Sequence, residues 1–173
     1  YSVNTTLAGC NNLTTITWSD GKHNVTIWAN DTVGNENSSS VSFTIDTTPP
    51  VVTIVTPINN TNTSNTGLNV NYTATNTLAI DSCWYSNDTY SVNTTLANCD
   101  NITNVIWSQG EHNVTVYAND TVGLEGQDTI TFTIDSIPPS FDNLPASQTI
   151  FDNQSLSYDV DATDVGIGLG TFG

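Results

Sequence analysis

The side chains with chemical capacity are few, and most of them stand alone. His23 and His112 occupy matching places, each two residues after a glycine. An imidazole needs a neighbouring acid, nucleophile or second ligand to catalyse or to bind a metal, and neither has a cysteine or an acid pair beside it in the sequence. A structural role is expected for both. No serine has the companions of a nucleophile, and no cysteine–histidine spacing fits zinc, so the chain reads as a non-enzyme. Asp159, Asp161 and Asp164 form a DxDxxD run, and Asp46 and Asp135 stand at candidate domain junctions. Such hard oxygen ligands could hold Ca²⁺ between modules. Thr73 and Asn76 occupy the places of Asp161 and Asp164 in the earlier repeat, so a solvated acidic face is favoured. No other cofactor is expected. With Lys22 as the lone lysine, a lysine–asparagine crosslink is nearly excluded.

Asparagine is the abundant reactive type. N-x-S/T acceptors occur at Asn4, Asn12, Asn24, Asn30, Asn37, Asn59, Asn62, Asn71, Asn87, Asn93, Asn101, Asn113, Asn119 and Asn153. Fourteen of the 23 asparagines lie in the motif, where random placement of the 46 serines and threonines among 173 residues predicts about 6. Covalent N-glycans are therefore expected at most of these sites. The competing explanation is an Asn/Thr-rich surface that builds turns and strands. Cys83 and Cys99 fall within one repeat unit and are expected to bond, the alternative being two buried thiols. Cys10 matches Cys99, and no cysteine in the chain matches Cys83 for it. A disulfide would point to an oxidising, extracellular setting.

Those groups sit on a chain of 173 residues with 17 acids, one basic residue and a formal net charge of −16. Such acidity repels phosphate backbones and anionic lipid, so neither nucleic acid nor a charged membrane surface is expected as partner. No run approaches the roughly 20 apolar residues of a membrane span.

Repetition organises the sequence. Residues 1–46 reappear as 90–135 with 29 identities in 46 positions, and FTIDTTPP at 43–50 is matched by FTIDSIPP at 132–139. Inside the unit the period is two. Leu68, Val70, Tyr72 and Ala74 alternate with polar residues, as do Val114, Val116 and Ala118, and Ile130, Phe132 and Ile134. With Val51–Thr56, Cys83–Ser86, Tyr90–Leu96 and Ile102–Trp107, this predicts about seven short strands and no helix. Seven alternating strands with frequent turns indicate an all-β chain of tandem immunoglobulin-like sandwiches. Asn71 and Asn113 fall on the polar face of their strands, where a glycan can stand in solvent.

The series CWYSND, a second cysteine, GEHNVTVYANDTVG, FTID and PP resembles the Ig-like repeats of archaeal and bacterial cell-surface proteins. The segment SLSYDVDATDVGIG is similar to the opening of a related cadherin-like module of the same proteins. The resemblance implies tandem extracellular sandwiches in stalks, adhesins, surface layers or filaments, and no catalytic residues.

Three regions are expected: the C-terminal half of a sandwich at 1–46, a complete sandwich at 47–135 and the N-terminal half of a further module at 136–173. Either the chain is a window of a longer repetitive polypeptide, or the tail of one copy completes the head of the next by strand donation. In the second case Leu156, Tyr158 and Val160 would face Val25, Ile27 and Phe43 of a neighbour. Cys10 would then be a lone thiol; in a longer chain it would have an upstream partner. The expected function is a structural subunit of a glycosylated surface filament or stalk, its partners being copies of itself head to tail. The alternative is an adhesin in which Trp28 or Trp84 stacks on sugars, and after it an accessory module of an enzyme.

Overall fold

The computed structural model describes residues 4–14, 16–88, 92–142, 147, 149–157 and 161–166. The chain divides into two compact units, Tyr1–Thr47 and Thr48–Gly173.

The first unit is a hairpin preceded by a single 3-10 turn at Ala8–Cys10. Its strands, β1 (Gly21–Asn30) and β2 (Glu36–Ile45), pair antiparallel through ten positions from Gly21↔Ile45 to Asn30↔Glu36. Alternation of Val25 and Ile27 with Asn24 and Thr26 suits a strand with one apolar face. The turn is braced by Asp31. Its Oδ1 accepts from Val33 N at 3.0 Å and from Asn35 N at 2.9 Å, while Gly34 supplies a φ of +92°. The side-chain hydrogen bond from Asn35, followed by its backbone bond, holds the Asp31 carboxyl below the usual aspartate range.

The second unit is a two-layer sandwich. The strands are β3 (Val51–Thr56), β4 (Thr61–Thr63), β5 (Asn71–Thr75), β6 (Ile80–Asn87), β7 (Thr94–Leu96), β8 (Gly110–Asp120) and β9 (Glu125–Ile134). One sheet is β3–β5; the other runs β4-β9-β8-β6-β7, with β4 parallel to β9 and the remaining pairs antiparallel. Val52 and Tyr72 from the small sheet meet Cys83, Val114, Val116, Ala118, Ile130, Phe132 and Ile134 from the large one, all of them buried. The chain is an all-β, Ig-like β-sandwich protein.

The strand set differs from the sequence expectation in three places. Ile102–Trp107 is not a strand. Ile102 makes one bridge to Val70, and Trp107 donates its backbone N–H to Thr66 O and its indole N–H to Leu68 O, each at 2.8 Å. Both side chains are buried, so an irregular segment that plugs the core looks apolar enough to imitate a strand. Conversely, Thr61–Thr63 pairs with the edge of β9 although it has no apolar alternation. The expected strand Tyr90–Leu96 begins at Thr94; Tyr90 and Ser91 lie outside the described residues.

Cys83 and Cys99 are bonded, with Cα atoms 5.1 Å apart, and tie the buried face of β6 to the 3-10 turn Ala97–Cys99. After Ile134 come β10 (Ser140–Phe141) and β11 (Ala162–Thr163), paired Ser140↔Thr163 and Phe141↔Ala162.

Cross-linking across a sequence separation of 16 removes loop freedom from the unfolded chain worth about 3 kcal/mol. Urea titration of the Cys83→Ala/Cys99→Ala variant should therefore show a loss of about that size; an unchanged midpoint would contradict a stabilising staple. A second expectation concerns Tyr72, whose hydroxyl ionises above its ordinary pH because it is buried and because Asp100 is nearby. Its contribution is complete below the unfolded pKa of about 10 and fades as pH rises through the higher folded value. Alkaline unfolding of Tyr72→Phe should begin at higher pH than that of the parent chain, and coincident curves would refute it.

Candidate functional site

Two hairpins identical at 15 of 25 positions differ in how far their apolar residues are exposed. Every β1–β2 pair is repeated 89 residues later in β8–β9, from Gly110↔Ile134 to Asn119↔Glu125. The aromatic cluster at the hairpin base is repeated as well. Trp18–Phe43 and Trp107–Phe132 are both edge-to-face with centroids 5.0 Å apart, and the histidine joins each pair at 5.1 to 5.6 Å. His23 Nε2 lies 2.7 Å from Ser19 O, as His112 Nε2 lies 2.9 Å from Ser108 O. These contacts are local, so the hairpin makes them with or without a second layer.

One partner is not repeated. The Asp88 carboxylate lies 3.0 Å from His112 Nδ1 and accepts from Asn113 N at the same distance. A carboxylate and a carbonyl only accept, so both contacts are satisfied when both ring nitrogens carry hydrogen. Asp88 is 24 residues from His112 and precedes the repeated stretch, so neither proximity nor repetition pointed to it.

Cover separates the two copies. In the second unit Val116 is 0% and Ile130 5% exposed; their counterparts Ile27 and Val41 are 42% and 58% exposed. Phe43 and Ile45 are half-buried where Phe132 and Ile134 are fully buried. A shallow open depression lined by Ile27, Ala29, Asn37, Ser38 and Ser39 lies on this uncovered face. The corresponding face of β8–β9 is covered by β3 and β5, and Ile54 N donates to Asp128 across the layers at 2.7 Å. Pro50 passes so close to Gly126 that an added Cβ would overlap its carbonyl oxygen. The first copy carries Asn37 at that place, so a cover over β1–β2 must stand further out at this corner.

The tail carries the complementary half of the pattern. The β10–β11 pair has the register of β3–β5, with Ser140↔Thr163 answering Val51↔Thr75 and Phe141↔Ala162 answering Val52↔Ala74. Phe141 is nevertheless 54% exposed where Val52 is 7%.

Among the sequon asparagines, Asn4, Asn12, Asn24, Asn30, Asn37, Asn59, Asn62, Asn93, Asn101 and Asn153 are exposed, and Asn71, Asn87, Asn113 and Asn119 are half-buried. Asn37 alternates onto the inner face of β2, in register with Ala29. Asn71 Nδ2, the atom a sugar would join, donates to Thr56 Oγ1 at 2.8 Å. The exposed thiol of Cys10 sits in a 3-10 turn with the same backbone as that of Cys99 (φ 55° in each). Trp84 and Tyr117 stack across the outer face of β6 and β8, 5.5 Å apart and 5° from parallel; Trp28, in the place of Tyr117, is 52% exposed. Of the DxDxxD run, Asp159 lies outside the described residues, and Asp161 O accepts from Asp142 N at 3.0 Å. Among the described residues no three histidines, cysteines or acids are grouped as metal ligands.

A family model described as a bacterial Ig-like domain matches residues 1–47. No curated protein matches the chain. The likeness agrees with the Ig-like fold, and such domains are typically non-enzymatic. Together with the disulfide, it points to an extracellular or surface location and a surface or adhesion-type role.

Because register and turn are shared, amide exchange of the dilute, unassembled chain isolates the effect of cover. Backbone amides of β8–β9 should exchange with the global unfolding of their unit, and those of β1–β2 many-fold faster. Equal protection of the two hairpins would show that the first face is covered.

Proposed function

We propose that the chain is an extracellular structural subunit of a glycosylated surface filament or stalk, in which the tail of one copy covers the head hairpin of the next. The observation that carries this is a pair of exposed apolar faces, one on the β1–β2 hairpin and one on the β10–β11 pair. Ile27 and Val41 are 42% and 58% exposed on the hairpin's apolar face, while a strand pair with the register of β3–β5 leaves Phe141 54% exposed. In sequence, Leu156, Tyr158 and Val160 stand at the places of Leu68, Val70 and Tyr72, with the spacing of two that a strand with one apolar face needs. Docked against Val25, Ile27 and Phe43 of a neighbour, those three would contribute on the order of 5 kcal/mol before ordering costs. The contact is heterologous, so it propagates into a line rather than closing as a dimer. Sugars and a net charge of −16 keep parallel lines apart and shield the backbone from proteases.

The stacked Trp84–Tyr117 pair favours a second role, an adhesin whose outer face holds foreign sugar. Binding on a glycan array by unassembled chain would support it over the structural role.

Removing 136–173 tests the assembly directly. The full chain should form extended polymers seen by electron microscopy, and the 1–135 truncation should remain short and soluble. Polymerisation of the truncation into the same fibres eliminates tail donation. A denatured, deglycosylated subunit several times larger than 18.5 kDa would instead place the repeats on one long polypeptide.

A further inference from the structure

Four of the fourteen sequons carry an aromatic residue two positions before the asparagine: Trp28 before Asn30, Tyr85 before Asn87, Tyr117 before Asn119 and Phe151 before Asn153. Fifteen aromatics among 173 residues would place about one there by chance. In a strand, two positions is one full period, so ring and asparagine share a face about 6.8 Å apart. The separation suits a pyranose ring joined to the asparagine and folded back onto the aromatic.

The structure sorts these four, and Phe151–Asn153 drops out at once because it lies in a turn rather than a strand. Trp28 and Asn30 are both exposed on the outer face at the end of β1. Tyr117 and Asn119 stand at the same places at the end of β8, and Trp84 fixes the plane of the Tyr117 ring by stacking on one side of it. In both copies the sequon runs Asn-Asp-Thr over the strand end. The aspartate builds the turn: Asp120 Oδ1 accepts from Val122 N and Leu124 N, as Asp31 does from Val33 and Asn35. The sequon threonines, Thr32 and Thr121, are exposed in that turn. Asn113-Val-Thr115 differs, since Thr115 is buried mid-strand and its hydroxyl is 2.8 Å from that of Thr129. Tyr85 packs toward the core, which removes Asn87 from the set.

We infer that Asn30 and Asn119 are preferred N-glycosylation sites, and that the first sugar of each glycan stacks on Trp28 or Tyr117. The inference rests on the glycoprotein reading above and says where its sugar is anchored. In the transfer, the asparagine amide nitrogen bonds to the anomeric carbon of a polyprenyl-linked oligosaccharide. The carbon–oxygen bond to the polyprenyl (di)phosphate breaks, that phosphate leaves with the electron pair, and the amide loses a proton to the transferase. Afterwards the C–H face of the pyranose lies against the π face of the ring, where the ring's negative face meets weakly positive hydrogens. This gives the outer-face aromatics a ligand on their own chain.

The full chain, secreted from a host that attaches N-acetylglucosamine-based glycans, tests this by site-resolved glycopeptide mass spectrometry. Asn30 and Asn119 should be occupied several-fold more than Asn113. Trp28→Ala should lower occupancy at Asn30 several-fold while leaving Asn119 unchanged, and Trp28→Tyr should restore it. Nuclear Overhauser contacts between the Trp28 indole and the first sugar supply a readout independent of transfer efficiency. Unchanged occupancy in Trp28→Ala together with no indole–sugar contact overturns the inference. Occupied sequons elsewhere with bare Asn30 and Asn119 overturn it alone, whereas fourteen bare asparagines overturn the glycoprotein reading itself.

Discussion

A two-stranded ribbon cannot bury its own apolar face, and every other feature of this chain follows from how that face is covered. Backbone pairing saturates the hydrogen bonds between β8 and β9, but Val114, Val116, Ile130 and Phe132 reach zero or near-zero exposure because β3, β5 and the buried Val70, Ile102 and Trp107 lie over them. At roughly 1.5–3 kcal/mol for each fully buried aliphatic or aromatic side chain, this cover outweighs any single hydrogen bond or turn in the unit. The first hairpin supplies the contrast. It has the same pairs, the same turn and the same aromatic base, yet its central apolar residues remain about half exposed.

Around this constraint the polar chemistry is arranged locally. Asp31 and Asp120 close their turns by accepting backbone N–H groups within four residues. The Trp–His–Phe clusters form at each hairpin base, where strand pairing sets the histidine opposite the phenylalanine and the tryptophan stands just before the first strand. These devices survive the loss of cover because none depends on the second layer. The Trp107–Leu68 hydrogen bond belongs to the other class, since it joins segments that only the complete sandwich brings close, whereas the disulfide ties β6 to the turn after its neighbour β7.

The outer face carries the remaining individuality. Its asparagines, threonines and aromatics alternate outward by the same period that sends valines and isoleucines inward, so the surface is patterned as strictly as the core. Asn37, like Asn87, is an exception. It replaces Gly126 on the inner face, at a corner where backbone passes within contact distance in the covered copy. That difference keeps the two hairpins from accepting an identical cover.

Much of this was legible in the residues. The period of two located β3, β5, β6, β8 and β9, because alternation reports directly which side chains must leave water. The repeat located the second hairpin from the first, and the placing of Cys83 and Cys99 in one unit indicated which thiols meet. Alternation failed where burial is not periodic: Ile102 and Trp107 are buried from an irregular segment, and Thr61–Thr63 pairs through backbone alone at an edge. Asp88 beside His112 and Pro50 against Gly126 were invisible for a related reason, since each joins residues far apart in the chain. By itself the sequence determined the alternating strands, their faces and their turns, all of which depend on neighbours within a few residues. Only the tertiary structure decided which segments close over β8–β9 and that Asp88 reaches His112, because those contacts join residues far apart in the chain.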